Sequence, residues 1–91
     1  MNHGTRTLAP AGVREQTRRY LEEHIDQLFR DDEDIVAAGL IDSMFMVQLV
    51  GFAEGEFGIE VDTGELNLTH FCSVDAITAF VLGKATTLTE D

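Results

Sequence analysis

The apolar run Met44–Phe57 constrains the fold of this chain more than any other stretch. Asp42 and Ser43 stand directly before it. Both residue types favour a helix N-cap, because their side-chain oxygens accept hydrogen bonds from the free N–H groups of a first turn. Gly58 follows the run, and glycine is common just beyond a helix end. The pattern therefore predicts a helix over residues 43–57.

This predicted helix carries more apolar residues than one buried face needs. A helix that only packs on a core devotes about 100° of its circumference to apolar side chains. The stripe expected to face the core consists of Leu49, Ala53, Phe57, Met46 and Val50, flanked by Phe45 and Phe52. The surplus forms a second row, with Met44, Val47 and Gly51 and, alongside them, Gln48, Glu54 and Gly55. We expect the second row to be either buried by the other helices or left as a docking face.

Helical spacing predicts three further helical segments. The first helix is expected from Ala11 to Arg30, with Leu28 among its core residues, and one short turn is expected within Thr63–Thr69, packed through Leu66. The last helix is expected to begin after the cap Ser73 and to end at Gly83. No useful segment alternates with the period of a strand. The chain is therefore predicted to be all-α, a four-helix bundle of three main helices and one short one.

The length of 91 residues allows one small domain. We expect the domain to span residues 11–84. Residues 1–10 are expected to be flexible, because Pro10 and the nearby Gly12 interrupt any regular pattern, and the polar segment 85–91 is expected to be a flexible tail.

The net charge of −11 excludes some classes of partner. All arginines lie within residues 1–30 and Lys84 is the only lysine, so the acidic excess falls after residue 30. Such a surface repels nucleic acid and anionic membranes and attracts basic protein surfaces. The run Asp31–Asp34 is expected to steer such partners, although acidity also serves solubility alone.

The single cysteine, Cys72, rules out an intrachain disulfide and indicates a reducing compartment. No apolar run approaches the roughly 20 residues of a membrane span. The first residues lack the apolar stretch of a signal peptide. We therefore predict that the protein is cytoplasmic.

Two kinds of chemistry are not expected. The acidic loop is not an EF-hand, because its sixth position is Val36 rather than glycine and its twelfth is Asp42 rather than glutamate. The histidines show no metal-ligand spacing with Cys72. A hydrolase using Ser43 with His24 or His70 as base would lack the Gly-x-Ser-x-Gly elbow. We therefore predict no metal site and no catalytic residue.

The residues around Ser43 resemble a known family. The segment Gly39–Met44, followed by Val47-Gln48-Leu49-Val50 and by Glu56-Phe57-Gly58-Ile59, is similar to the acyl, aminoacyl and peptidyl carrier proteins. The family motif is Asp-Ser-Leu, and Met44 stands in the place of leucine. The resemblance runs from about Val13 to Val81. It implies a non-catalytic carrier whose Ser43 receives 4′-phosphopantetheine from coenzyme A, through a magnesium-dependent phosphopantetheinyl transferase, and then holds cargo as a thioester.

The resemblance also implies roles for neighbouring residues. Asp42 would cap the helix and meet a basic residue or metal on the transferase, and Met44 completes the motif. Residues that would be read by partner enzymes are Val47, Gln48, Gly51 and Glu54. Those partners are the transferase, cargo-loading and tailoring enzymes and a downstream synthase, and the carrier itself is expected to be a monomer.

The subgroup implied is that of discrete carriers for unusual extender units, of which the methoxymalonyl carriers are the nearest. This assignment to a subgroup depends on the aromatic residues Phe45 and Phe52 and on the stretch Phe71–Ile77 near the start of the last helix. Polyketide or mixed polyketide and peptide biosynthesis would be the setting. A discrete aminoacyl or peptidyl carrier and a D-alanyl carrier are the alternatives. From another class, the alternative is a small acidic helical adaptor that carries nothing covalently.

Overall fold

The structure is a computed structural model that describes residues 9–89. It contains four α-helices: α1 (Pro10–His24), α2 (Ser43–Phe57), α3 (Leu68–Phe71) and α4 (Val74–Thr89). A 3-10 turn, Thr63–Glu65, lies between α2 and α3. No strand occurs among the described residues. The predicted all-α bundle of three main helices and one short one is confirmed.

The core is formed by α1, α2 and α4 together with the connections between them. The helix α1 packs mainly against α4. The stripe of α2 predicted to face the core is buried at Leu49, Ala53 and Phe57, with Phe45 beside it. Completely buried side chains elsewhere include Leu21, Ile35, Val74, Ile77 and Val81. The prediction that Gly58 ends α2 is confirmed, because Gly58 adopts the left-handed conformation with φ 69°.

The first helix is shorter than predicted, and the expected end at Arg30 is wrong. The helix ends at His24, and Ile25 is extended at φ −97° and ψ 122°. Ile25 and Phe29 are both buried, so their spacing of four imitates a helix face although the chain between them is not helical. Leu28, expected in the core, is 97% exposed. The start is also different, since Pro10 opens the helix rather than preceding it.

The last helix continues past Gly83, where the sequence predicts its end. The structure describes α4 as helical to Thr89, which includes much of the segment expected to be a flexible tail. Gly83 lies inside α4 and keeps a helical backbone. It does not adopt the positive φ that Gly39 and Gly58 show among the described glycines. A glycine inside a helix costs only about 1 kcal/mol relative to alanine, which a long helix tolerates.

The connection between α2 and α4 contains two short helical segments rather than the single turn predicted. The 3-10 turn and α3 are separated by Leu66 and Asn67. Asn67 caps α3, because its Oδ1 accepts a hydrogen bond from the Thr69 N–H at 2.8 Å. Leu66, expected to pack inward, is 55% exposed. The inward anchor of this connection is Phe71, which is buried.

The long connection 25–42 between α1 and α2 is held by backbone hydrogen bonds to the start of α4. The Ile35 N–H donates to the Cys72 carbonyl at 2.7 Å, and the Asp75 N–H donates to the Asp31 carbonyl at 2.9 Å. Ile35 is completely buried. The connection therefore packs as part of the bundle, and it leads the chain to the start of α2.

Arg18 and Arg14 join α1 to this connection and to α4. Arg18 donates to the Asp31 carboxylate at 2.7 Å and to the Phe29 carbonyl at 2.6 Å, and its guanidinium lies over the Phe29 ring. Arg14 pairs with Asp75 on α4 and with Asp31. The Asp75 hydrogen bond is the main reason that the pKa of Arg14 is raised. Asp31 is thus the point where three elements meet.

Some predictions fall outside the described part of the chain. Residues 1–8 of the predicted flexible N-terminus and residues 90–91 of the predicted tail are among them. Within residues 9–89, no helix combines the length and the apolar character that crossing a bilayer requires.

Two threonine hydroxyls are buried without a hydrogen-bond partner. Thr17 on α1 and Thr78 on α4 are both buried, and neither Oγ1 is hydrogen-bonded. A buried hydroxyl that has lost its water without gaining a partner costs about 1–3 kcal/mol. These residues therefore reduce the stability of the bundle.

We expect Thr17→Val to raise the free energy of unfolding by about 1 kcal/mol, because valine replaces the unpaired hydroxyl with a methyl group of similar size. Urea denaturation followed by circular dichroism measures this change. Thr69→Val is the control, since the Thr69 hydroxyl donates to Asn67 at 2.7 Å and its loss should not stabilise the protein. A loss of stability in Thr17→Val would contradict the assignment of an unpaired hydroxyl.

Candidate functional site

The start of α2 is capped by Asp42, as its sequence predicts. Asp42 is extended, and its Oδ1 accepts a hydrogen bond from the Phe45 N–H at 2.8 Å. Its carbonyl accepts the first helical hydrogen bond, from the Met46 N–H at 3.0 Å. Just before it, Gly39 has φ 76°, a conformation that side-chain-bearing residues rarely adopt. The capping role of Asp42 is confirmed.

Ser43 occupies the first helical position and is exposed. Its hydroxyl forms no hydrogen bond with any residue of the described chain, since Asp42 rather than Ser43 performs the capping. The N-terminal end of a helix carries a partial positive charge, which favours an anion placed there. The hydroxyl is therefore accessible, unengaged and located where a phosphate group would be stabilised.

One face of α2 runs from Ser43 along a surface groove. Residues 43, 47, 50 and 54 follow the i, i+4, i+7, i+11 spacing of a single helix face. The last three line a groove of about 450 Å³ between α2 and the connection that contains α3. Its walls are Met46, Val47, Val50, Gly51, Glu54, Leu66, Asn67 and Phe71. The groove therefore begins about one helical turn beyond the Ser43 hydroxyl.

The sequence did not reveal this groove. Leu66 and Asn67 belong to a segment that was expected to form a short packed turn, and only the structure puts them opposite α2. The one available signal was the surplus of apolar residues on α2, which indicated an uncovered surface but not the opposite wall.

The predicted partner-facing residues of α2 are not equivalent in the structure. Met44 and Val47 are 75% and 72% exposed, and Gln48 and Gly51 are also exposed. Glu54 differs, because it is half-buried and its Oε2 accepts a hydrogen bond from the Val61 N–H at 2.9 Å. Glu54 thus fixes the chain after α2 and lines the groove, in addition to any contact with a partner.

The opposite flank of α2 is closed by a row of stacked aromatic rings. Tyr20 on α1 stacks on Phe52 with ring centroids 4.1 Å apart, and His24 stacks on Phe45 at 3.7 Å. Stacked rings add about 0.5–1.5 kcal/mol beyond their buried area. Phe45 also donates its N–H to Asp42, so the last residue of α1 supports the turn that presents Ser43.

The outer wall of the groove is tied to α4 by an ion pair. Lys84 on α4 donates to both carboxylate oxygens of Glu65, at 3.0 and 3.1 Å. The pKa of Glu65 is lowered, mainly by the hydrogen bond from the Asp62 N–H and then by Lys84. The Glu65 carboxylate raises the pKa of Lys84 in turn. The ion pair therefore anchors the segment just before α3.

The acids of the run Asp31–Asp34 all form hydrogen bonds or ion pairs within the chain, and their role in steering partners stays a prediction. Asp31 pairs with two arginines of α1, and Asp32 pairs with Arg30 at 2.9 Å. Glu33 accepts from the Arg30 N–H. Asp34 accepts from the N–H groups of Val36 and Ala37 and so begins the turn that follows. Much of this charge is compensated locally.

No group of three or more His, Cys, Asp or Glu side chains within the described residues is arranged to hold a metal ion. His24 and His70 each stack on a phenylalanine, Phe45 and Phe80 respectively. Neither histidine forms a hydrogen bond with Ser43. Among residues 9–89, Ser43 is therefore an exposed hydroxyl at a helix start with no hydrogen-bonded base of the kind that a nucleophilic serine uses.

In comparisons with known proteins, no protein-family model matched this chain, and no curated protein matched it either.

We expect Asp31→Asn to lower the free energy of unfolding by about 1 kcal/mol, because it removes the charge that pairs with Arg18 and Arg14. The loss should shrink in 1 M NaCl, where such pairs are screened. Urea titrations at two salt concentrations measure it. Asp26→Asn, at an exposed position, is the control for removing one negative charge. An equal effect in both variants would show that net charge, not the ion pairs, is responsible.

Proposed function

We propose that this protein is a carrier that holds a biosynthetic intermediate as a thioester on 4′-phosphopantetheine attached to Ser43. The observation that carries the proposal is the Ser43 hydroxyl, which is exposed at the first position of a long helix and forms no hydrogen bond with residues 9–89. A serine with a structural role would be expected to cap the helix, as Ser73 does when its Oγ accepts from the Ala76 N–H at 3.0 Å.

The surroundings of Ser43 suit a phosphodiester. The N–H groups of Ser43 and Met44 form no hydrogen bond within the described chain, whereas that of Phe45 is taken by Asp42. Free N–H groups and the helix dipole together favour a phosphate at this position by about 0.3–1 kcal/mol. Asp42 is fixed by its capping bond, which keeps its carboxylate beside the serine for a basic residue or metal of the transferase.

The 4′-phosphopantetheine group would supply a flexible arm with a terminal thiol. This chain would supply only the attachment point and the surfaces around it. The distance along α2 from Ser43 to Glu54 is about 16 Å at the helical rise of 1.5 Å per residue. An arm that starts at Ser43 thus lies next to the groove. In this proposal the protein performs no bond-making step itself, and the partner enzymes carry out the chemistry.

Partner enzymes would dock on the exposed row of α2. Met44, Val47 and Gly51 offer apolar contact beside Ser43, and no basic side chain lies on α2. The partners of this proposal are a phosphopantetheinyl transferase, loading and tailoring enzymes and a downstream synthase, in the cytoplasm. The cargo is either an unusual extender unit for polyketide or mixed polyketide and peptide synthesis, or an aminoacyl group.

Incubation with coenzyme A, magnesium and a broad-specificity phosphopantetheinyl transferase tests the attachment. We expect the intact mass to increase by one phosphopantetheine, and Ser43→Ala to abolish the increase. The chain contains one other serine, Ser73, and Ser73→Thr keeps its capping oxygen as a control. No addition by several such transferases, or addition that persists in Ser43→Ala, would refute the proposal and leave a non-covalent acidic adaptor.

The docking face generates a separate prediction at Val47. We expect Val47→Asp to change the free energy of unfolding by less than about 0.5 kcal/mol, because the side chain is exposed. The kcat/KM of phosphopantetheine transfer should fall about tenfold, as a charge is buried against the enzyme. Gln16→Asp introduces the same charge at an exposed position of α1 and should leave the rate unchanged. Equal rates for the two variants would remove Val47 from the docking face.

A further inference from the structure

The groove beside Ser43 is apolar apart from two side chains, one on α2 and one on the connection that forms the opposite wall. Among the described residues that line it, Glu54 is the only charged one, and Asn67 is the only other polar one. The rest of the wall consists of Met46, Val47, Val50, Gly51, Leu66 and Phe71. A groove of this kind binds through apolar contact and selects through its few polar groups.

The carboxylate of Glu54 has one oxygen available to a bound group. Its Oε2 accepts the Val61 N–H at 2.9 Å, which fixes the side chain in place, while Oε1 forms no hydrogen bond with the described residues. None of the described side chains that line the groove is cationic, so none of them neutralises Glu54. A half-buried carboxylate with apolar neighbours favours a cation or a hydrogen-bond donor and disfavours a second anion.

Asn67 contributes a hydrogen-bond donor to the groove, where Glu54 contributes an acceptor. Its Oδ1 accepts from both the N–H and the hydroxyl of Thr69, at 2.8 and 2.7 Å. Its amide NH₂ forms no hydrogen bond within the described chain, which makes it a donor for a carbonyl oxygen. One acceptor and one donor in the same groove match a group that carries an ammonium next to a carbonyl.

We propose that the groove selects an amine-bearing cargo, an aminoacyl group whose ammonium pairs with Glu54 and whose carbonyl accepts from Asn67, over a cargo with a free carboxylate. This inference rests on the proposed function. It favours the aminoacyl class over malonyl-type extender units, because the carboxylate of the latter would lie against Glu54. At Gly51, which lines the groove, no atom lies within 4 Å of the position that a Cβ would take, so there is room for the arm there.

A chemically attached tether tests the selection. In a Ser43→Cys, Cys72→Ser background, the thiol introduced at position 43 is alkylated with three haloacetamide reagents of the length of phosphopantetheine, which end in an aminoacyl amide, a carboxylate or a methyl group. Cys72→Ser keeps a donor where the Cys72 thiol faces the Thr69 carbonyl. Backbone amide shifts of Val47, Gly51 and Asn67 and the Tm are the readouts.

We expect the amine-bearing tether to give the largest amide shifts at the groove and to raise the Tm by about 2–5 °C above the carboxylate-bearing tether, the effect of one partly screened ion pair. Glu54→Gln, which retains an acceptor for the Val61 N–H, should abolish the difference. Glu56→Gln, at an exposed position of the same helix, should preserve it.

Three outcomes would overturn the inference. They are equal shifts for all three tethers, no groove shifts with any tether, and a preference for the amine that persists in Glu54→Gln. Because attachment is chemical, this result does not depend on recognition of Ser43 by a transferase. The enzymatic test of Ser43 decides the proposed function separately, so that the two can fail independently.

Discussion

The burial of Ile35 determines the course of the connection between α1 and α2, and the site depends on it. Ile35 has no exposed surface, and its N–H is bonded to the Cys72 carbonyl at the entrance to α4. Asp31, four residues earlier, accepts from Asp75 of α4 and binds two arginines of α1. An irregular segment of this length is normally mobile, because each ordered residue loses about 1–2 kcal/mol of backbone entropy. Its fixed path is what gives α2 a defined starting point.

The sequence predicted best where one local rule controlled the structure. Asp42 capping α2, Gly58 ending it and Ser73 capping α4 each follow from the needs of a helix terminus, and all three were identified correctly. The core stripe of α2 was predicted in part, because the period of a helix dictates which residues are buried together. Leu49, Ala53 and Phe57 are buried as predicted, whereas Met46 and Val50 are half-buried and line the groove. The fold class followed from these predictions.

Predictions were wrong where residues had the spacing or the type expected of a helix or its end, but the backbone took a different conformation. Ile25 and Phe29 are four residues apart and both buried, yet the backbone between them is extended and turned, so that Leu28 projects into solvent. Glycine is common just beyond a helix end, but Gly83 lies inside α4 and keeps a helical backbone. The groove could not be predicted, since its two walls are distant in sequence and come together only through tertiary packing. Glu54 was recognised as part of the outer face of α2, but its bond to Val61 depends on the same packing.

Each cationic side chain between residues 9 and 89 forms an ion pair with an acid of this chain, as seen for Arg14, Arg18, Arg19, Arg30 and Lys84. With a net charge of −11, the surface offers a neighbouring copy few cations to bind. Two copies that approach each other therefore meet mainly like charge, and the repulsion extends over about 8 Å at physiological ionic strength. We therefore expect this repulsion to oppose association between copies of the chain, so that the exposed apolar row of α2 stays available at high concentration.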